Sequence, residues 1–317
     1  MSDMLLKEDI MSKRDKEKVA GLVYVQSYTD SVTKDGKPFF NGTCQGKGTI
    51  PFKVWSNSAC FHDFQIGDFS NQIVYIEGTV DLFNGVGLCL TAIRVVDNCP
   101  LDVFDFFEER YDVHELTDSL FEIFSENCSP EAIQIFNLLT HDEMTKDVWR
   151  EEFAAVGHHD AVRHGLLAHS MRVTKIMKTI ADLYPSLHKA VDNDLLFVGS
   201  ALHDIGKCLE YHNGGMSKDG AYVSHLSFGI ILVSKYQKEI EEYKGHEFYM
   251  NLLSIVTQHH GAHGDTPKTL VAYLVHVADA LEANLAKLEE VVGPMLGSGF
   301  HTLKTSAMET GEWTIRF

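Results

Sequence analysis

The sequence predicts two domains of different class, a small β-barrel followed by an all-α helical bundle, and three observations carry that expectation. The chain has 317 residues, more than one small domain usually needs. Its hydrophobic pattern changes near Pro100, from short β-branched and aromatic runs to apolar residues spaced three and four apart. With 44% hydrophobic residues, 23% charged residues and only 7 prolines, the composition is that of a folded protein and excludes collagen, coiled coil and wholesale disorder.

The barrel is read from Val19 to about Val96. The runs VAGLVYVQSY, KPFFNGTCQG and TIPFKVWS, and then two more within NQIVYIEGTVDLFNGVGLCLTAIRVV, are rich in strand-forming residues. Lys34-Asp35-Gly36-Lys37 and Asn84-Gly85 are turn signals between them. Five strands in about 80 residues, with only a short helical stretch near 59–64, match the layout of an OB-fold. The first eighteen residues alternate in charge and lack the apolar core of a secretory signal.

After Pro100 the period is helical. Ser129-Pro130-Glu131 marks a helix start, with a capping hydroxyl and proline at the first helical position. Further helices are predicted over 165–183, 193–209, 224–242, 246–260 and 268–290, with loops at 213–215 and 260–266. The expected domains are a polar N-terminal tail (1–18), an OB-fold single-strand-binding domain (19–98), connecting helices (99–150), a helical domain (151–292) and a C-terminal tail (293–317).

Charge and cysteine usage narrow the setting. Lys and Arg number 27 against 45 Asp and Glu, a net charge of −18, the wrong sign for holding nucleic acid by bulk electrostatics. Residues 1–100 hold 10 Lys/Arg and 12 Asp/Glu, so −16 of that charge falls on residues 101–317 and the front is nearly neutral. Six scattered cysteines without a C-x-x-C pair indicate neither a disulfide framework nor a zinc knuckle and fit a cytoplasmic protein. No apolar run approaches the ~20 residues that cross a bilayer, so no membrane partner is expected.

The seventeen histidines concentrate in the helical region. His169, the adjacent His203-Asp204, His225, the adjacent His259-His260, and Asp279 each fall on or at the end of a different predicted helix. A metal centre inside a bundle needs such a distribution, because one helix presents only one or two inward groups per turn. Imidazole with carboxylate suits divalent ions, and the absence of nearby thiolate argues against structural zinc. A single histidine on such a face is more often a hydrogen-bonded core residue; six candidates together favour ligation. In His203-Asp204-Ile205-Gly206-Lys207 the glycine permits close approach and the lysine offers a cation, whose plain alternative is a charge at a helix C-terminus.

The order His169, His203-Asp204, His225, His259, Asp279 resembles the HD-domain metal-dependent phosphohydrolases, whose signature is HDIGK. The segments HGLLAHS and VADALEANL are similar to those of the YhaM-type 3′-5′ exoribonucleases, which join an OB-fold to an HD domain. That resemblance implies an HD-type bundle in which His169, His203, Asp204 and Asp279 hold one ion, while Asp204 bridges to a second held by His225 and His259. His260, His164 and His159 are further candidates for metal or substrate contact. The implied cofactors are two divalent ions, manganese foremost, with iron, cobalt, magnesium, zinc or nickel also suiting the donors. Asp204 and Lys207 are the implied catalytic residues, the lysine neutralising a non-bridging phosphate oxygen.

The implied activity is a 3′-5′ exonuclease that hydrolyses single-stranded RNA, or DNA, to nucleoside 5′-monophosphates by a metal-bridging hydroxide, in a chain that forms homo-oligomers. The alternative is a phosphodiesterase acting on a small or cyclic nucleotide, with the barrel used for assembly. On the barrel, Tyr28, Phe39, Phe40, Lys53 and Trp55 are the candidate nucleic-acid contacts, since single-strand binding combines stacking rings with a few cations. Adjacent strand residues face opposite ways, so Phe39 and Phe40 cannot both point inward.

Overall fold

The structure, a computed structural model, describes residues 3–83, 85–155, 160–261 and 264–293, and the backbone of 300–303 and 313–316. It divides into two compact units, Met1–Arg110 with Asn213–Gly215, and Tyr111–His212 with Met216–Phe317.

The first unit holds α1 (Lys7–Met11), β1 (Lys18–Val32), β2 (Pro38–Gln45), β3 (Thr49–Trp55), α2 (Phe61–Ile66), β4 (Gln72–Asp81) and β5 (Gly87–Val95). The strands close into a barrel in the order β1-β2-β3-β5-β4, the arrangement of an OB-fold. β1 serves two neighbours. Its first half pairs with β4 and its second half with β2, with a register shift between Val25 and Ser27 where the strand changes partner. Parallel pairing of Phe52 with Leu88 and Lys53 with Cys89 closes the cylinder. Alternate residues fill it, among them Val23, Ile50, Phe52, Val54, Ile76 and Leu88. The β1–β2 turn is the one predicted, with Gly36 at φ +73 and Gly36 N donating to Thr33 O at 2.9 Å. The second predicted turn includes Asn84, outside the described residues.

The expected N-terminal tail is instead part of this unit. Leu5 and Ile10 are buried in the barrel core. Leu5 N donates to Leu22 O at 2.9 Å and Lys7 N to Gly46 O at 2.7 Å. Apolar residues spaced among charges were enough to anchor a segment that reads as polar overall.

The second unit holds α3 (Val113–Asn127), α4 (Pro130–Thr140), α5 (Val148–Glu151), α6 (Gly165–Leu183), α7 (Pro185–His188), α8 (Asn193–Leu202), α9 (Lys207–Glu210) and β6 (Tyr211–His212), and the two-residue β7 (Gly215–Met216) straddles the division between the units. These are followed by α10 (His225–Lys235), α11 (Gln237–Lys244), α12 (His246–Gln258), α13 (Leu270–Val292), β8 (Phe300–Leu303) and β9 (Trp313–Arg316). α6 is nearly surrounded, packing on α3, α8 and α13. Its buried Leu166, Leu167, Val173 and Met177 join Leu120, Phe124, Phe136 and Leu139 of α3 and α4 in one core. Residues 111–150 are therefore part of the bundle rather than connectors. Ser129 caps α4 as expected, its hydroxyl accepting from Ala132 N.

Two predicted helices are shorter than expected. The one over 193–209 ends at Leu202, where His203–Gly206 form a turn before α9, and the one over 224–242 breaks at Tyr236 between α10 and α11. Among the described residues no helix is long and apolar enough to cross a membrane.

Candidate metal centre and barrel surface

Six predicted ligands, and His260 with them, come together within the helical unit. α6 contributes His169 from its buried face, and the turn after α8 contributes His203 and Asp204. His225 opens α10, His259 and His260 follow α12, and Asp279 lies midway along α13. The turn works because residue 206 is glycine: a Cβ there would stand 1.9 Å from His225 O. Removing the side chain lets the HD turn rest directly on the start of α10.

The donor atoms form two groups, His169, His203 and Asp279 in one, and Asp204, His225, His259 and His260 in the other. Asp204, 2% exposed, stands between them. Its Oδ2 lies 3.4 Å from both His169 Nε2 and His203 Nε2, while its Oδ1 lies 3.5 Å from His225 Nε2 and 3.3 Å from His259 Nε2. Asp279 Oδ1 is 3.2 Å from His169 Nε2. Imidazole nitrogens converge in pairs, His169 with His203 at 3.1 Å and His225 with His260 at 2.9 Å.

Four of these histidines aim Nε2 inward because Nδ1 is engaged elsewhere. His169 Nδ1 meets Glu282 Oε2 at 2.5 Å and His225 Nδ1 meets Glu210 Oε2 at 2.9 Å. His203 Nδ1 meets Ser200 O at 2.7 Å and His259 Nδ1 meets Ile255 O at 3.2 Å. Such outer contacts fix ring orientation and tautomer in metal sites. Among the described residues, four buried side-chain polar atoms lack a hydrogen bond, and two of them, Asp204 Oδ1 and His259 Nε2, face each other here. Buried polar atoms are costly to leave unpaired, and a cation is the partner that both would accept. The donor set fits divalent metal.

The buried carboxylates and imidazoles set one another's charge. Burial opposes charge on Asp204, but Lys207 and the neighbouring imidazoles outweigh it and hold the carboxyl well below the usual range. The same contest resolves the same way for Asp279, through His169 and His203. Burial also opposes the His203 imidazolium, yet Asp204 and Asp279 raise its pKa to about 9. His260 is pushed down to about 4 by burial and by His259, and so stays neutral, the form that ligates. Lys207 Nζ sits 2.6 Å from Asp204 Oδ2, and that carboxylate keeps the buried ammonium charged against desolvation.

His164 does not join either group. It adopts a left-handed backbone (φ +65) ahead of α6, and its Nδ1 engages Arg150 O at 2.6 Å. His159 lies outside the described residues. Sequence reading missed Glu282 and Glu210, because a carboxylate on a helix carries no mark of burial. Asp279-x-x-Glu282 places the two acids about one turn apart on α13 and could have flagged the first.

On the barrel, β2 and β3 present Phe39, Trp55 and Lys53 outward. Phe39 is the cross-strand partner of Trp55, their ring centroids are 5.0 Å apart, and Lys53 Nζ lies 5.7 Å from the Trp55 ring. Phe40 is a correction: at 9% exposure it belongs to the barrel core, since the register turns even-numbered β2 residues inward. Tyr28 is another. It stands opposite Gly42 on the inner face, packs edge-on to Phe40 and Phe64, and its hydroxyl donates to Gly67 O at 2.9 Å. Phe83, between β4 and β5, was not foreseen and is 84% exposed.

Residues 166–284 match the HD domain family. Among solved structures, the mitochondrial single-stranded DNA-binding protein of S. cerevisiae is 14% identical and covers 27% of this chain and 100% of its own, with a TM-score of 0.24. The single-stranded-DNA-binding (SSB) domain of a Synechococcus sp. protein is 17% identical, covers 26% of this chain and 97% of its own, and has a TM-score of 0.23. Entamoeba histolytica asparaginyl-tRNA synthetase is 12% identical, covers 46% of this chain and 36% of its own, and has a TM-score of 0.22. The barrel's assignment as an OB-fold rests on its own strand order and closure.

Proposed function

The chain carries an HD domain, the mark of a metal-dependent hydrolase, and from that premise we propose that it hydrolyses phosphodiester bonds of single-stranded nucleic acid, RNA first, removing nucleoside 5′-monophosphates from the 3′ end. The observation that carries the hydrolytic reading is Asp204, whose two oxygens face two separate groups of imidazole nitrogens. His169, His203, Asp279 and Asp204 Oδ2 would hold one divalent cation, and His225, His259, His260 and Asp204 Oδ1 a second, manganese foremost. Such cations supply Lewis acidity, which lowers the pKa of a water and neutralises charge building at phosphorus.

The chain's own residues do the rest. Asp204 sets the separation of the two groups. Lys207, kept charged beside it, offers a cation to a non-bridging phosphate oxygen. The Phe39–Trp55 pair, with Lys53 and the exposed Phe83, supports single-strand binding by stacking and a local phosphate contact, as the barrel's near-neutral charge requires. The protein is proposed to act in the cytoplasm and to form homo-oligomers.

One observation favours a second reading. The net −16 of residues 101–317 repels long polyanions and suits a compact or cyclic nucleotide. Incubating the full-length protein and Mn²⁺ with 5′-labelled and 3′-blocked oligonucleotides separates the two. A ladder shortened from a free 3′ end is expected. Absence of any shortening ends the exonuclease reading, and turnover of a cyclic dinucleotide in its place establishes the second.

A further inference from the structure

Each group of ligands contains one histidine backed by a carboxylate and one backed by a main-chain carbonyl. In the first, Glu282 Oε2 takes His169 Nδ1 at 2.5 Å and Ser200 O takes His203 Nδ1 at 2.7 Å. In the second, Glu210 Oε2 takes His225 Nδ1 at 2.9 Å and Ile255 O takes His259 Nδ1 at 3.2 Å. The two glutamates are among the few acids buried in the bundle, at 2% and 7% exposure.

We propose that Glu282 and Glu210 are positioning residues, one for each cation, an inference that rests on reading these groups as a two-metal centre. An imidazole must surrender its Nε2 lone pair to ligate, and a carboxylate at Nδ1 fixes that tautomer and makes Nε2 a stronger donor than a carbonyl does. Both glutamates are themselves held. Glu282 Oε1 accepts from Arg172 Nε at 2.5 Å, and Arg172 is in turn bound to Asp160 and to the Tyr111 hydroxyl at 3.1 Å. Glu210 Oε1 accepts from the main-chain N–H of His225 at 3.0 Å, so one side chain fixes both the ring and the first residue of α10. The first cation therefore depends on a chain of side chains, and the second on the start of a helix.

The test uses full-length protein, Mn²⁺ alone, calorimetric titration and elemental analysis after desalting. Wild type is expected to bind two ions. Glu282→Gln should weaken one binding step by about 10–100-fold, the range typical of such outer contacts, Glu210→Gln should weaken the other by a similar factor, and the double variant should weaken both additively. Glutamine keeps an acceptor oxygen, and melting curves in excess chelator verify the fold. If Glu282→Gln does not fold, Arg172→Gln should weaken the same step. Folded variants with unchanged binding, or both variants weakening a single step, overturn this proposal alone. A wild type that takes up no Mn²⁺ overturns the two-metal centre and this inference together.

Discussion

Asp204 is buried with one oxygen turned to each group of imidazoles, and neither oxygen can be replaced without loss to one of them. Asp204→Asn keeps size and shape but removes the charge that both groups share. Mn²⁺ uptake and turnover should fall by more than the ~10–100-fold typical of outer contacts; elemental analysis with an oligonucleotide assay checks both, and a variant that keeps both removes Asp204 from its central place. On the barrel, neighbouring residues should separate cleanly. Phe40→Ala opens the core and should cost about 3–5 kcal/mol of stability, while Trp55→Ala, which removes a half-buried ring paired with Phe39, should cost only about 1 kcal/mol and weaken single-strand binding by about 1–3 kcal/mol. Denaturation and fluorescence-anisotropy titration read the two effects. The sequence already required that Phe39 and Phe40 face opposite ways. Which one faced out depended on pairing with β3 and on the bulge in β1, neither of which a single strand encodes. His203 and Asp204 were legible because they adjoin in sequence; Glu210 and Glu282 were not, because their partners lie 15 and 113 residues away.

Elements were legible where period and caps agreed. α6 spans 165–183 as its apolar spacing predicts, and α4 begins where Ser129-Pro130 places it. They were misread where tertiary demands interrupt a continuous period. Apolar residues continue past Leu202, but the chain must turn to present His203 and Asp204 together, so α8 stops there. The N-terminal segment fails for the opposite reason, because its few apolar residues are too sparse for a periodic signal yet reach the barrel core. Ile10→Ala should therefore cost about 2–5 kcal/mol, read as a lowered midpoint in urea. A midpoint equal to wild type would return residues 3–17 to the status of a tail.

For the molecule as a whole, a net charge of −18 sets two effects against each other as the pH falls. Protonating exposed acids relieves self-repulsion and stabilises the compact state, but buried acids that are paired in the fold oppose this. Asp142 is such a group. Burial alone would raise its pKa, yet the Lys235 ammonium, the Tyr236 hydroxyl at 2.6 Å and Met144 N at 2.9 Å outweigh burial and lower it. Asp194 is lowered in the same way by Lys244 and by Ser129, whose hydroxyl and amide both donate at 2.6 Å. A depressed folded pKa contributes stability that is present above the unfolded value of about 3.9 and is lost as the pH falls through the folded value. Melting temperature should accordingly change little from pH 7 to 5 and drop steeply below about 4. Asp142→Asn should lower stability at pH 7 and flatten the acid limb, because asparagine carries no proton to gain. An acid limb as steep in the variant as in wild type would show that Asp142 does not contribute to it.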